Sequence, residues 1–183
     1  MSRTKSSESS EYGTTAKLLH WLVVALLVVQ YGLGWTMPDV HRGTVPDGLI
    51  AWHLAVGALI VVVVLFRLIW RLRYPVALLD DGSPAWQQLL AGLTHWLLYL
   101  VLALLLLLGW ANASARGWTV AVLGLVPLPP LAATGSRIGM EAGDIHSIVG
   151  WCLLALVWLH VAAALYHGVI RRDQVLQRML PKL

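Results

Sequence analysis

Four stretches of this 183-residue chain, 18–38, 48–66, 82–115 and 145–170, contain no Asp, Glu, Lys or Arg. Each has room for the roughly 20 apolar residues that carry an α-helix across a hydrocarbon core about 30 Å thick. No water pairs with bare peptide groups in lipid, so a spanning segment closes its own backbone hydrogen bonds and is helical. With 58% apolar and 12% charged residues, the chain has too little polar surface for a water-soluble globule. The expected fold is an all-α membrane protein, a single four-helix transmembrane bundle. A fifth charge-free stretch, 117–136, holds Pro127, Pro129, Pro130 and three glycines. It reads as an apolar loop at the interface, since broken backbone cannot face lipid across a whole span.

With four spans, both chain ends and the middle connection share one side. That side carries Arg3, Lys5, Lys17, Arg67, Arg71, Arg73, Arg171, Arg172, Arg178 and Lys182, against Arg42, Arg116 and Arg137 on the other. The asymmetry predicts both termini in the cytoplasm. The net charge of +4 is thereby a topology signal rather than a nucleic-acid footprint, and no nucleic-acid partner is expected. No cleavable signal peptide is expected, because the first apolar run is too long for an h-region and no small-x-small site follows it. Cys152 has no partner, and no Cys-x-x-Cys-His motif exists to attach a haem covalently. The chain divides into a polar, Ser-rich segment 1–16, a bundle 17–171 and a tail 172–183. Helix starts are expected near Lys17, at Gly48 behind an Asp47 cap, between Pro84 and Thr94, and at Ile145 behind an Asp144 cap. The last outer connection is then about 29 residues long. Tryptophans 35, 52, 110, 118 and 151 crowd the outer helix ends as an aromatic belt.

His146 and His160 are fourteen residues apart in the fourth span. At 100° and 1.5 Å per residue they leave the same helix face, roughly 21 Å apart along the axis. A single metal ion cannot use that spacing, whereas two cofactors stacked across a membrane can. By depth, His53 near the outer end of the second span matches His146, and His20 near the inner end of the first matches His160. Each pair takes one imidazole from each of two helices, which is how a bundle holds a planar cofactor by two axial nitrogens. Iron porphyrin held in this way is a low-spin b-type haem that transfers electrons. Ionisable side chains within the bilayer are costly and default to function. The prediction is two non-covalent b haems, with His20 and His160 on the inner iron and His53 and His146 on the outer iron.

Arg67, fourteen residues after His53, is expected to pair with a propionate of the inner haem, and Arg73 to serve as an interfacial anchor. Gly57 and Gly150, four residues after a ligand, together with Gly32 and Gly34, would leave room for a flat ring. His41 is expected in solvent. His95 at inner depth and His167, two turns beyond His160, join Arg71 as candidates to line a site for a quinone headgroup.

Several stretches together resemble the bacterial cytochrome b561 family. They are Leu19-His20-Trp21, Trp52-His53 with Gly57, Arg67 and Arg71 running to Arg73-Tyr74-Pro75, Thr94-His95 with Tyr99, and Asp144-Ile145-His146. His160 through His167 and Met179-Leu180-Pro181 complete the likeness, which covers the chain from about residue 12. The resemblance implies four-helix dihaem proteins of the bacterial inner membrane that exchange electrons between a periplasmic donor and ubiquinone. Some members are similar to a superoxide oxidase, which passes an electron from superoxide to ubiquinone. Here the outer loops set three Arg against Asp39, Asp47, Glu141 and Asp144, which gives an anionic donor little steering. The resulting expectation is an electron wire running from the outer haem to the inner haem to quinone. One alternative is a cytochrome b membrane-anchor subunit of a hydrogenase or dehydrogenase. A distant one is a divalent-metal transporter or binding protein, which would want its ligands clustered rather than spread along a helix.

Overall fold

The computed structural model describes residues 13–74, 84–173 and 175–180. The inner connection 75–83 lies outside the described residues, as do Arg3, Lys5, Pro181 and Lys182 of the sequence reading. Among the described residues four helices are long and apolar enough to cross a membrane. They are α1 (Thr14–Thr36), α2 (Gly48–Arg73), α3 (Ala85–Ala115) and α4 (Arg137–Leu165), the last continued by a π-helical turn, Tyr166–Arg171. Many of their large apolar side chains face outward, including Val28, Leu65, Leu100 and Trp158. In water that surface would drive aggregation, whereas against acyl chains it needs no cover.

The helices pack as two pairs, α1 on α2 and α3 on α4. Among the described residues no α-carbon of α1 comes within 8 Å of one in α4. Side chains bridge that gap at mid-height, where Val23, Ile60, Val63, Val64, Tyr99, Leu102 and Leu153 form one buried cluster. Its two most completely buried large side chains, Ile60 and Leu153, are each 1% exposed. Leu153 stands seven residues, about two turns, from both His146 and His160. An apolar layer therefore separates an outer space between the pairs from an inner one.

Helix α4 begins earlier than its charge-free stretch suggests, which corrects the expected Asp144 cap. Ser136 is the cap residue, its hydroxyl accepting from Gly139 N–H at 3.3 Å. Asp144 instead sits inside the helix. The first two turns lie beyond the uncharged span and carry an Arg137–Glu141 ion pair at 2.7 Å, an i,i+4 contact that suits a wet helix end. The outer connection is thus 116–136, eight residues shorter than the expected 116–144. It is not featureless: β1 (Ala121–Val122) and β2 (Val126–Pro127) pair antiparallel, with Leu123 and Gly124 in positive φ at the turn. Val120, Val122 and Leu128 tuck against Ala58 and Ala113, so the loop closes down on α2 and α3. Helix α1 starts at Thr14, one turn before Lys17. Asp47 does precede α2, but its side chain makes no capping hydrogen bond.

Candidate functional site

In the outer space, His53 of α2 faces His146 of α4 with ring centroids 6.2 Å apart and planes at 79°. Two imidazoles bound through Nε2 to one metal, with bonds of about 2.0 Å, place their centroids about 6.3 Å apart. The pair therefore has the separation that one shared iron requires. His146 Nδ1–H donates to the Leu105 carbonyl at 2.9 Å, which fixes the tautomer and leaves the Nε2 lone pair available. His53 Nδ1 is buried with no hydrogen-bond partner among the described residues.

A cavity of about 470 Å³ surrounds this pair, within the roughly 300–1,000 Å³ typical of small-molecule sites. Gly34, Gly57, Gly109 and Gly150 are among its walls, one from each helix. At Gly109 the close approach is absolute, since a Cβ there would stand 2.8 Å from His146 Cε1. Neutral hydrogen bonds to backbone carbonyls hold the walls. Gln30 Nε2 donates to His53 O at 3.0 Å, Tyr31 Oη to Gly150 O at 2.7 Å, and Asn112 Nδ2 to Gly139 O and Met140 O at 3.1 Å each. Gln30 Oε1 is buried at the cavity with no partner among the described residues. At the outer rim Arg116 donates to Asn112 Oδ1 at 3.0 Å and to His41 O at 3.1 Å, and Trp35 stacks on Trp151 at 6.2 Å.

The inner space is more crowded. His20 of α1 and His160 of α4 have centroids 6.5 Å apart, again near the shared-iron separation. His95 of α3 lies closer to His160, at 5.3 Å, about an ångström too short for the same linear bridge. Its Nδ1–H donates to Ala91 O at 2.6 Å. Arg67 Nη2 lies 3.2 Å from His20 Nδ1 and its guanidinium is over the Tyr99 ring at 5.2 Å. Arg71 covers Tyr99 and Trp96, each at 5.8 Å. Since arginine only donates, His20 Nδ1 accepts in this arrangement and the ring proton sits on Nε2, the reverse of His146. Metal ligation by Nε2 requires that proton on Nδ1, with Arg67 turned toward another acceptor.

The structure thus gathers His20, His95, His160, Arg67 and Arg71 into one inner cluster and His53 with His146 into an outer one. His167 stands apart from both. The π-helical turn rotates it off the α4 register, and its Nδ1 meets Asp173 Oδ2 at 2.5 Å. His41 is exposed in the outer loop, and Cys152 is exposed and free. Sequence reasoning missed Gln30, Tyr31 and Asn112. The usable signal for Gln30 and Asn112 was an amide side chain within an otherwise apolar span, where a polar group must find a partner.

Sequence comparison identifies the family of the chain. The family model for prokaryotic cytochrome b561 matches residues 11–182. Cytochrome b561 homolog 1 of Escherichia coli (strain K12) is 29% identical over 94% of this chain and 98% of its own length. Probable superoxide oxidase CybB of Yersinia pestis is 27% identical, with 90% and 92% covered. Cytochrome b562 of Cereibacter sphaeroides is 26% identical, with 88% and 90% covered.

Proposed function

The chain belongs to the prokaryotic cytochrome b561 family of haem b membrane proteins, and on that premise we propose that it carries single electrons across a bacterial inner membrane to ubiquinone. In this reading both termini are cytoplasmic, as the ten basic residues on the inner side favour. His53 and His146 would hold an outer haem, and His20 and His160 an inner one. Such a group would supply one-electron redox chemistry, and these imidazoles are the residues that would hold it. The observation that carries the proposal is the repetition, at both ends of α4, of a histidine pair with bis-imidazole separation, 6.2 and 6.5 Å.

The residues between and around the pairs supply the rest. Leu105 O fixes the His146 ring, and the glycine walls leave a slot for a planar ligand. The Ile60–Leu153 layer keeps water from running between the two spaces. Arg67, released from His20 Nδ1, is the propionate partner on the inner side. Arg71 and His95 stand at the same level and line the approach for a quinone headgroup. Among the described residues no three His, Cys, Asp or Glu side chains converge as ligands of an ion.

The likeness to Probable superoxide oxidase CybB makes superoxide the first donor to test. The purified protein in detergent, supplied with a superoxide source and ubiquinone, is expected to reduce the quinone and consume superoxide. Quinone reduction by a chemical donor but not by superoxide would keep the electron wire and replace the donor. No quinone reduction with any one-electron donor would overturn the function, and co-purification of a soluble redox subunit would then favour the membrane-anchor alternative.

A further inference from the structure

Two buried polar atoms at the outer cavity have no hydrogen-bond partner among the described residues, and they are complementary. His53 Nδ1 is a donor whenever the ring binds a metal through Nε2, and Gln30 Oε1 can only accept. Buried polar groups are costly to leave unpaired, so a donor and an acceptor stranded at one site call for a common explanation.

The local geometry brings them to the same seam. Gln30 belongs to α1, and its Nε2 donates to His53 O of α2 at 3.0 Å. Because a carbonyl oxygen takes only a donor, that bond fixes which end of the amide is nitrogen and leaves Oε1 as the free end. Nε2 also lies against Gly57, one turn beyond His53 on α2, where a Cβ would stand 3.3 Å away. The amide is therefore held beside the histidine's own peptide. The Nδ1 edge of the His53 ring faces α1 at Gly34, one turn beyond Gln30 on the same helix face. A Cβ on Gly34 would stand 3.5 Å from His53 Cε1 and 3.7 Å from Nδ1. All four residues line the cavity. A purely structural tie between α1 and α2 would need only the Nε2 bond, and a hydroxyl or indole donor would make it without burying a second polar atom.

We propose that Gln30 is a positioning residue for His53, its Oε1 holding one buried water that accepts from His53 Nδ1–H. This rests on the reading of His53 and His146 as ligands of an outer haem. The water accepts from Nδ1–H and donates to Oε1, so neither atom stays unpaired. Ligating histidines hand their second ring proton to an acceptor of this kind, as His146 does to Leu105 O. The two outer ligands are then matched, one held by a backbone carbonyl of α3 and the other through a side-chain amide of α1. The consequence is electronic as well as geometric. A hydrogen bond from Nδ1–H leaves the ring more basic at Nε2, and a more basic ligand favours the oxidised metal. Gln30 thereby lowers the potential of the outer site, the direction that sends an electron on toward the inner one.

The test is potentiometric titration of both haem bands in wild type, Gln30→Met and Gln30→Glu. Methionine keeps the length of the side chain and removes both amide atoms. Its outer midpoint should rise by about 40 mV, a roughly fivefold shift in a one-electron reduction equilibrium and the scale of one hydrogen bond, with the inner midpoint unmoved. Glutamate keeps an acceptor oxygen whether protonated or ionised, so its outer midpoint should match wild type or fall below it. An unmoved outer midpoint in Gln30→Met overturns the proposal and leaves the haem site standing. An equal rise in both variants also overturns it, since the effect would then lie in packing rather than in the acceptor oxygen. Should Gln30→Met lose its outer haem, proton NMR of the diamagnetic ferrous wild type decides. A His53 Nδ1–H resonance displaced downfield, as a hydrogen-bonded ring proton is, supports the bridge, and one at the position of an unbonded ring N–H overturns it. Wild type without an outer haem sinks both this inference and the reading on which it rests.

Discussion

Around His53 and His146 the walls are glycine, aliphatic and tryptophan side chains, the charged Asp39, Arg116 and Asp144 also border the cavity, and the hydrogen bonds from side chains to the wall carbonyls come from neutral groups, Gln30, Tyr31 and Asn112. Around His20 and His160 stand two guanidinium groups, a buried tyrosine and a third imidazole. Both pairs share α4 and have similar ring separations, 6.2 and 6.5 Å, so the imidazole spacing does not distinguish them. Their surroundings do. The outer site is shaped by room, and a substitution at its glycines acts by occupying space. The inner site is shaped by charge, and in a low-dielectric interior nearby cations stabilise whichever state carries an extra electron. On the proposed two-haem reading, an inner haem would accordingly have the higher potential, and electrons would run inward.

The sharpest way to break this contrast is Gly109→Leu. Its Cβ would stand 2.8 Å from the His146 ring, which the Leu105 carbonyl holds in place. Haem content is expected to fall to about half, with the inner spectrum unchanged. Equal loss of both haems would show that the spaces are not independent. Arg67→Gln should keep both haems but lower the inner potential by on the order of 100 mV, the scale of one unit charge at several ångström and an effective dielectric near 20. Potentiometric titration reads it, and an unchanged inner midpoint would remove charge as the distinguishing factor.

A smaller effect belongs to Tyr31→Phe, which deletes the Tyr31–Gly150 hydrogen bond tying α1 to α4. About 0.6–1 kcal/mol should be lost, lowering the thermal midpoint by a few degrees without changing haem content. The smallest effect is confined to the inner-face turn. Asp173 is held below the carboxylate range, so its stabilisation is present above the unfolded carboxyl value and lost as pH falls through the lowered one. Hydrogen exchange at the Val175 amide, which donates to Asp173 Oδ1, should accelerate in acid and stay slow at neutral pH, and exchange that follows only the intrinsic pH trend would contradict the assignment.

The hydrocarbon core made the spans legible, since its demand for closed helical hydrogen bonds leaves few solutions for a charge-free run of twenty residues. The start of α4 escaped because its first turns are wet and charged and its cap, Ser136, belongs to a Pro- and Gly-rich loop. At the sites, the fourteen-residue step along α4 and the depth of His20 and His53 were readable from helix geometry alone. That His95 would approach His160 more closely than His20 does was not, because depth says nothing about azimuth between neighbouring helices. Gln30, Tyr31 and Asn112 were hidden for another reason, as each acts on a backbone carbonyl of a partner helix, and a carbonyl leaves no mark in sequence. The His167–Asp173 contact depends on a π-helical turn and a left-handed arginine, neither of which has a residue signature here.

The most direct test of the two-site account is haem quantitation with a reduced-minus-oxidised spectrum on purified wild type, His53→Ala and His20→Ala. The account predicts two b haems per chain in wild type and one in each variant, with different bands surviving in the two. A wild type with a single haem or none, or a variant that retains both, would contradict it.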